Sequence, residues 1–302
     1  MHILLTGAGG LIGRVVAREL ALAGHDIRRL VRRRPVPPGE FAWDPPAGTI
    51  DRRAVDGVDA VIHLAGEPIA EHRWTRRRKR AILDSRAQGT LLLAEAIAGA
   101  ARPPATLLSA SAIGIYGDRG DERLDESAGP GRDFLATVCQ TWEAATGPAV
   151  DAGVRVVTPR FGIVLASGGG ALARQLPLFR AGLGGRLGSG RQWMSCVALE
   201  DVALTLVHLL SAASVSGPVN VVCPEPIRNA DYTRLLGRLL RRPAVAAVPR
   251  AALRVVFGEL ADTVLLASQR VVPAALTTSG YPFRQPGIED ALRAALGQGA
   301  RG

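Results

Sequence analysis

Apolar and polar positions follow two alternating periods along most of the chain. Residues 2 to 6, His-Ile-Leu-Leu-Thr, form a short apolar run of the kind a buried strand needs, and Gly7-Ala8-Gly9-Gly10 stops it at once. From Leu11 to about Ala23 the apolar positions recur at helical spacing until Gly24 ends them. The same alternation then repeats. A strand is expected at about Asp26 to Arg32, followed by a proline-rich excursion through Pro35, Pro37, Pro38, Pro45 and Pro46. Another strand is expected at Ala60 to Leu64 and a long helix at about Arg76 to Ala101. Ala105 to Ser109, a helix near Phe134 to Ala152 and a strand at Val154 to Pro159 continue the series. Strands and helices alternating at this spacing predict an α/β fold, with a doubly wound parallel sheet and helices on both faces.

Beyond Pro159 the texture changes. Gly168-Gly169-Gly170 and the stretch Gly182 to Gly190 are poor material for the interior of a helix or strand, so a substrate-side region is expected to begin there. A helix at about Glu200 to Ala212, a strand at Val219 to Val222, and helices near Ala230 to Leu240 and Arg250 to Ala267 follow.

Composition narrows the class. At 302 residues, 47% hydrophobic and 21% charged, the chain has the makings of one large α/β domain with a smaller appended unit. No apolar run approaches the roughly 18 residues of a membrane span, so no membrane partner is expected. Ile3-Leu4-Leu5 runs straight into a glycine loop, which reads as a strand and not as a cleaved signal; the cytoplasm is the expected location. Cys139, Cys196 and Cys223 are too few for a disulfide framework, and the five histidines form no His-x-x-x-His pair, so no metal is expected. The formal charge of +10 draws attention to Arg28 to Arg34 and Arg73 to Arg80. Without interleaved aromatic residues these read as a solvated basic surface, not as a nucleic-acid face.

Thr6-Gly7-Ala8-Gly9-Gly10-Leu11-Ile12-Gly13 is Gly-x-x-Gly-x-x-Gly, set directly after a strand and opening a helix. Gly7 permits a tight turn, Gly10 lets the backbone approach a pyrophosphate, and Gly13 lets helix and strand pack closely; the helix start at Leu11 and Ile12 offers amides to the phosphates. About 20 residues further on, where an NAD-binding chain would place an acid for the ribose, this one reads Val31-Arg32-Arg33-Arg34. A guanidinium binds a 2′-phosphate where a carboxylate would repel it, so Arg32 and Arg33 point to NADP(H). The alternative is that these arginines face solvent.

With these words in view, the chain resembles the epimerase-like atypical short-chain dehydrogenase/reductases, often described as NAD-dependent epimerase/dehydratase proteins and sometimes labelled cell-division-inhibitor homologues. Further motifs in order are His63-Leu64-Ala65-Gly66-Glu67-Pro68, Asp84-Ser85-Arg86, Ser109-Ala110-Ser111 through Tyr116-Gly117-Asp118, Trp142-Glu143-Ala144, Gly188-Ser189-Gly190-Arg191-Gln192-Trp193 and Gly217-Pro218-Val219-Asn220. The resemblance implies a Rossmann domain over residues 1–165 with later strands returning at about 193–223, a substrate-side region over 166–247 and a helical C-terminal cap over 248–302. It places Leu64, Ala65 and Gly66 near the adenine ribose and pyrophosphate, and Ser109, Pro159 and Arg160 near the nicotinamide end.

The chemistry of ordinary short-chain dehydrogenases rests on Tyr-x-x-x-Lys, in which the ammonium lowers the phenol pKa from about 10 toward neutrality. Lys79 is the one lysine here and Thr75 stands four residues before it, so the pair does not exist. Ser111, Tyr116, Asp118, Cys139 and Glu143 remain as candidates for proton chemistry, with Ser111, Tyr116 and Cys139 foremost; each has a packing role as its alternative. Glu67, Arg86, Arg191, Gln192 and Trp193 are the expected substrate-region residues, the last three sharing one cleft with Glu67 and Tyr116. Two functions stay open: an NADP(H)-dependent oxidoreductase or epimerase-like enzyme acting on an unidentified small molecule, or a non-catalytic NADP(H)-binding sensor. An ordinary sugar-nucleotide epimerase is disfavoured by the missing pair, and a homo-oligomer is compatible with either reading.

Overall fold

A computed structural model describes residues 1–70 and 73–298, and in it the apolar runs come together as one sheet. Its main strands are β1 (His2–Thr6), β2 (Asp26–Val31), β3 (Glu40–Asp44), β4 (Ala60–His63), β5 (Thr106–Ser109), β6 (Arg155–Phe161) and β7 (Gly217–Val221). They lie in the order β7-β6-β5-β4-β1-β2-β3, and every one of these ladders is parallel. Thr49–Ile50 adds an antiparallel hairpin to β3, and Ser111–Ala112 pairs beside the end of β6. The chain winds outward from β1 in both directions, so the carboxyl ends of β1 and β4 form the switch point where doubly wound sheets take ligands.

The principal helices are α1 (Leu11–Leu22), α2 (Arg76–Ala98), α3 (Phe134–Ala144), α4 (Gly147–Asp151), α5 (Gly170–Arg180), α6 (Leu199–Ser211), α7 (Asn229–Leu240) and α8 (Arg250–Phe257). On one face Ile3 and Leu5 pack with Val16 and Leu20 of α1 and Leu206 and Leu209 of α6. On the other, Leu4, Val61, Leu107 and Val156 pack with Leu93 and Ile97 of α2 and Ala149 of α4. A strand covered on both faces needs apolar side chains at successive positions, which is why β1 reads as a run and not as an alternation.

Several stretches depart from the sequence-based expectation. The helix expected over 134–152 is two: α3 ends at Ala144 and α4 begins at Gly147, because Pro148 has no N–H to donate and its ring would clash with the carbonyl one turn back. α2 stops at Ala98, capped by Gly99, not at Ala101. The helix expected over 250–267 ends at Phe257, where Gly258 turns to φ +62; a single π-turn at Ala261–Leu265 follows. The glycine-rich segments hold regular structure: Gly170 opens α5, and Gly185–Leu187 pairs with Ala246–Val248. There a Cβ on Gly185 would stand 2.5 Å from the Ala246 carbonyl oxygen, so that glycine marks a close strand contact. The proline-rich excursion contributes β3. Of the strands expected to return at 193–223, β7 alone among those described enters the main sheet; Cys196–Ala198 pairs with Ile163–Leu165, and Trp193–Met194 with Ile227–Arg228.

The last segment threads back over the rest. Arg270–Val271 lies beside Arg123–Leu124, the Tyr281 hydroxyl donates to the Asp201 carboxylate on α6, and Ile288, Ala291 and Leu292 join the core that α5 and α7 share. Residues 299–302 of the expected cap lie outside the described residues. No helix among the described residues is long and apolar enough to cross a membrane.

Candidate cofactor and substrate site

The glycine loop is locked to the neighbouring strand at the switch point. Gly7 has φ +69, and a Cβ there would stand 2.8 Å from the Leu64 carbonyl carbon; on Gly13 it would stand 2.1 Å from the Gly7 oxygen. No side chain can be accepted at either position without moving backbone. Gly9 meets nothing within 4 Å, and Gly10 meets only the Gly7 oxygen at 3.3 Å. Gly10 caps α1 without a side-chain hydrogen bond, and no acidic residue occupies the first turn of Leu11, Ile12 and Gly13. The helix start therefore presents amides and a positive dipole end to an open glycine cradle, an arrangement that fits a pyrophosphate.

Beneath the loop lies a buried polar chain that sequence reasoning missed. The Thr6 hydroxyl oxygen accepts from the amides of Leu64 (3.1 Å) and Ala65 (3.2 Å). Its own hydrogen then goes to His63 Nδ1 at 2.7 Å, which leaves Nε2 to donate to Thr90 Oγ1 at 3.0 Å. This arrangement requires a neutral ring, and burial lowers the His63 pKa from 6.5 to about 4. The unfolded chain binds a proton near 6.5, so the stability that neutral His63 contributes is complete above that pH and is lost as the pH falls toward 4. Urea denaturation between pH 7 and 4.5 should show an excess slope of up to about 1.4 kcal/mol per pH unit over a His63→Gln variant. Identical pH profiles for the two proteins would refute the neutral-histidine assignment.

At the end of β2, Arg32 is exposed and has no protein partner among the described residues. Arg33 differs from expectation. Its Nη1 and Nη2 donate to Glu40 Oε2 and Oε1 at 2.8 and 2.6 Å, and Glu40 also accepts from the Val36 amide. The Glu40 hydrogen bond and charge hold the Arg33 pKa above its ordinary value. Arg33 therefore meets a ligand already paired, whereas the Arg32 side chain is unpaired among the described residues.

The three foremost proton-transfer candidates are all buried. Tyr116 is completely buried; its hydroxyl donates to Asn220 Oδ1 at 2.8 Å and accepts from Arg160 Nη1 at 3.0 Å, and burial raises its pKa. Cys139 is buried in α3, and burial followed by the Glu143 charge pushes its thiol up to about 12, so it is no nucleophile at neutral pH. Ser111 is 1% exposed and donates to Glu143 Oε1 at 2.6 Å. Glu143 in turn receives Arg160 through two hydrogen bonds of 2.8 Å. Burial alone would lower the Arg160 pKa; its bonds to Glu143 and Tyr116 outweigh that and raise it. Ser111, Glu143, Arg160, Tyr116 and Asn220 thus form one satisfied network tying α3 to β6 and β7. Arg160 and Pro159 lie buried within β6, and the Ser109 hydroxyl is sealed without a partner among the described residues.

Two of the second-half residues also have partners within the protein. Gln192 is buried and donates to the Leu187 and Leu265 carbonyls, Arg191 is exposed, and the Trp193 indole N–H donates to Asp121 at 3.1 Å. Arg228 and Arg270 stand 4.1 and 4.7 Å from the Trp193 ring centroid, so guanidinium groups occupy the apolar surface expected to face a ligand. Glu67 pairs instead with Arg78 at 2.6 Å, and its carbonyl accepts from Arg86. The residues brought together at the switch point are therefore Gly7 to Gly13, Leu64 to Glu67, and Arg86. Asp118 accepts from the Ser268 amide and holds the loop after Tyr116.

A doubly wound sheet with a glycine cradle at its switch point defines a Rossmann-type dinucleotide-binding protein. The family model for the NAD dependent epimerase/dehydratase family matches residues 3–222, and a domain of unknown function, DUF1731, matches 248–295. The chain belongs to the NAD dependent epimerase/dehydratase family. Among its relatives, the epimerase family protein Mb2239 of Mycobacterium bovis is 43% identical over 290 residues, covering 96% of each chain. The human epimerase family protein SDR39U1 is 35% identical, covering 97% of this chain and 99% of its own. A crystal structure of human SDR39U1 with NADPH superposes with a TM-score of 0.89 at 33% identity, over 98% of this chain and 99% of that one. A nucleoside-diphosphate sugar epimerase from Corynebacterium glutamicum gives 0.81 at 38% identity, over 98% of this chain and 58% of that one. Both the family and the site geometry support a nicotinamide cofactor.

Proposed function

We propose that the protein binds NADP(H), with the pyrophosphate on the cradle of Gly10 to Gly13 and the 2′-phosphate at Arg32, and uses it as an oxidoreductase or epimerase-like enzyme acting on a small molecule. The carrying observation is the exposed, unpaired Arg32 at the end of β2, where an NAD-binding chain would present an acid. The NADPH in the human relative's crystal structure supports the same reading. When bound, the nicotinamide supplies or accepts hydride; the protein holds and orients it and shields it from water. The burial of Ser111, Tyr116 and Cys139 weighs against these three as proton donors. Arg32→Ala is expected to weaken NADPH binding about tenfold or more and to leave NADH binding unchanged. Calorimetric titration of both cofactors checks this, and an equal loss for both would remove the phosphate contact. Arg33→Ala should cost less, because Glu40 already shares that guanidinium.

A second reading, a non-catalytic NADP(H)-dependent sensor, draws support from the same burial of Ser111, Tyr116 and Cys139. Stoichiometric binding of NADPH with no oxidation across a panel of small carbonyl compounds would favour it.

A further inference from the structure

Arg86 is the one feature of the switch-point crevice that the cofactor reading leaves unexplained. Its guanidinium lies against the backbone of the cofactor loop: a Cβ on Gly66 would stand 3.3 Å from Arg86 Cζ. The indole of Trp142 lies under it, 4.9 Å from Cζ to the ring centroid. Nη1 donates to the carbonyls of Glu67 (2.9 Å) and Ile82 (3.2 Å). Nε and Nη2 have no protein partner among the described residues, and neither is among the sealed, unsatisfied atoms, so this edge keeps access to solvent.

No carboxylate among the described residues forms an ion pair with Arg86. The nearest carboxylate, Glu67, is bound to Arg78 at 2.6 Å. Two other partly buried arginines show how this fold settles such charges. Arg160 has the Glu143 carboxylate, and Arg155 gives its guanidinium to Thr106 and to four carbonyls at the end of α6. Arg86 has two carbonyls on Nη1 alone and no carboxylate among the described residues, and desolvation pulls its pKa down. A largely buried cation with an open two-donor edge is costly to the empty protein and is relieved by an anion.

We infer that Arg86 anchors the substrate by an anionic group, a carboxylate or phosphate, received in bidentate fashion on Nε and Nη2 with Trp142 beneath the plane. The substrate class is a small acid or phosphorylated compound seated under the Leu64–Glu67 loop. Calling that anion a substrate rests on the NADP(H) reading; the anion site itself does not.

The test follows the arginine Nε–H resonances of the full chain, with and without saturating NADPH, during titration with inorganic phosphate and separately with acetate. A saturable shift of one Nε–H signal that disappears in Arg86→Met is expected, while the affinity of that variant for NADPH stays within about threefold of the unmutated protein. Its melting temperature without anions should equal or exceed that of the unmutated protein, because methionine removes a largely buried charge that has no carboxylate paired to it among the described residues; a merely structural arginine would give the opposite. Anion binding that persists in Arg86→Met overturns the inference, as does a melting temperature lowered by more than about 5 °C. A tenfold loss of NADPH affinity also overturns it, by assigning Arg86 to the cofactor phosphates. If the unmutated protein binds phosphate at Arg86 but fails to bind NADPH, the anion site stands and the cofactor reading falls.

Discussion

A Gly10→Val protein is expected to fold normally and to lose NADPH binding by at least about a hundredfold. Gly10 has φ −76 and ψ 174, extended backbone that valine adopts readily, and its Cβ would touch only the Gly7 oxygen at 3.3 Å. The side chain then stands in the cradle where the pyrophosphate would approach the α1 amides. Gly13 shows why the position matters. A Cβ there would be driven to 2.1 Å from the Gly7 oxygen, so Gly13→Ala damages the packing of α1 on its own loop before any cofactor is considered. Circular dichroism with an NADPH fluorescence titration separates the two cases. Undiminished affinity in Gly10→Val would place the phosphates elsewhere.

Glu143→Ala should destabilise the protein by about 3–5 kcal/mol, the cost of stranding a buried partner charge. Arg160 side-chain exposure is 9% and that of Glu143 is 17%, so water compensates little of the loss. Ser111 loses its acceptor at the same time. A Glu143→Leu, Arg160→Met double variant should recover most of the stability, because removing both charges leaves none unpaired. Urea denaturation reads both. A loss below about 1 kcal/mol in Glu143→Ala would mean that the pair behaves as a surface ion pair, and Ser111 would then return as a candidate for proton transfer.

Local pattern and long-range partnership explain what could be read in advance. The β1–glycine loop–α1 unit is local: its turn and its packing glycines follow from residues within ten positions of one another, and Gly7 and Gly13 make the tight turn and the close helix packing their spacing implies. The burial of Tyr116 is not local. Its hydroxyl partner, Asn220, lies 104 residues along the chain, and nothing near Tyr116 distinguishes a phenol facing a ligand from one closed by a distant strand. Trp193 is similar, since its ring is occupied by Arg228 and Arg270 from two separate segments. Glu40 could have been suspected of pairing with Arg33 had the proline-rich excursion been read as containing a strand. Parallel pairing places Glu40 beside Arg29 on β2, a register that sequence periodicity alone does not give. Arg86 was legible as a residue but not as a charge without a carboxylate partner among the described residues, because that depends on Arg78 having taken Glu67.

The central claim is that this crevice receives a nicotinamide dinucleotide through its 2′-phosphate as well as its pyrophosphate. Calorimetric titration of the unmutated protein with NADPH and with NADH, at one ionic strength, tests it most directly. NADPH should bind about tenfold tighter or more, as a charge-assisted contact from Arg32 requires; equal affinities for the two cofactors would contradict the account.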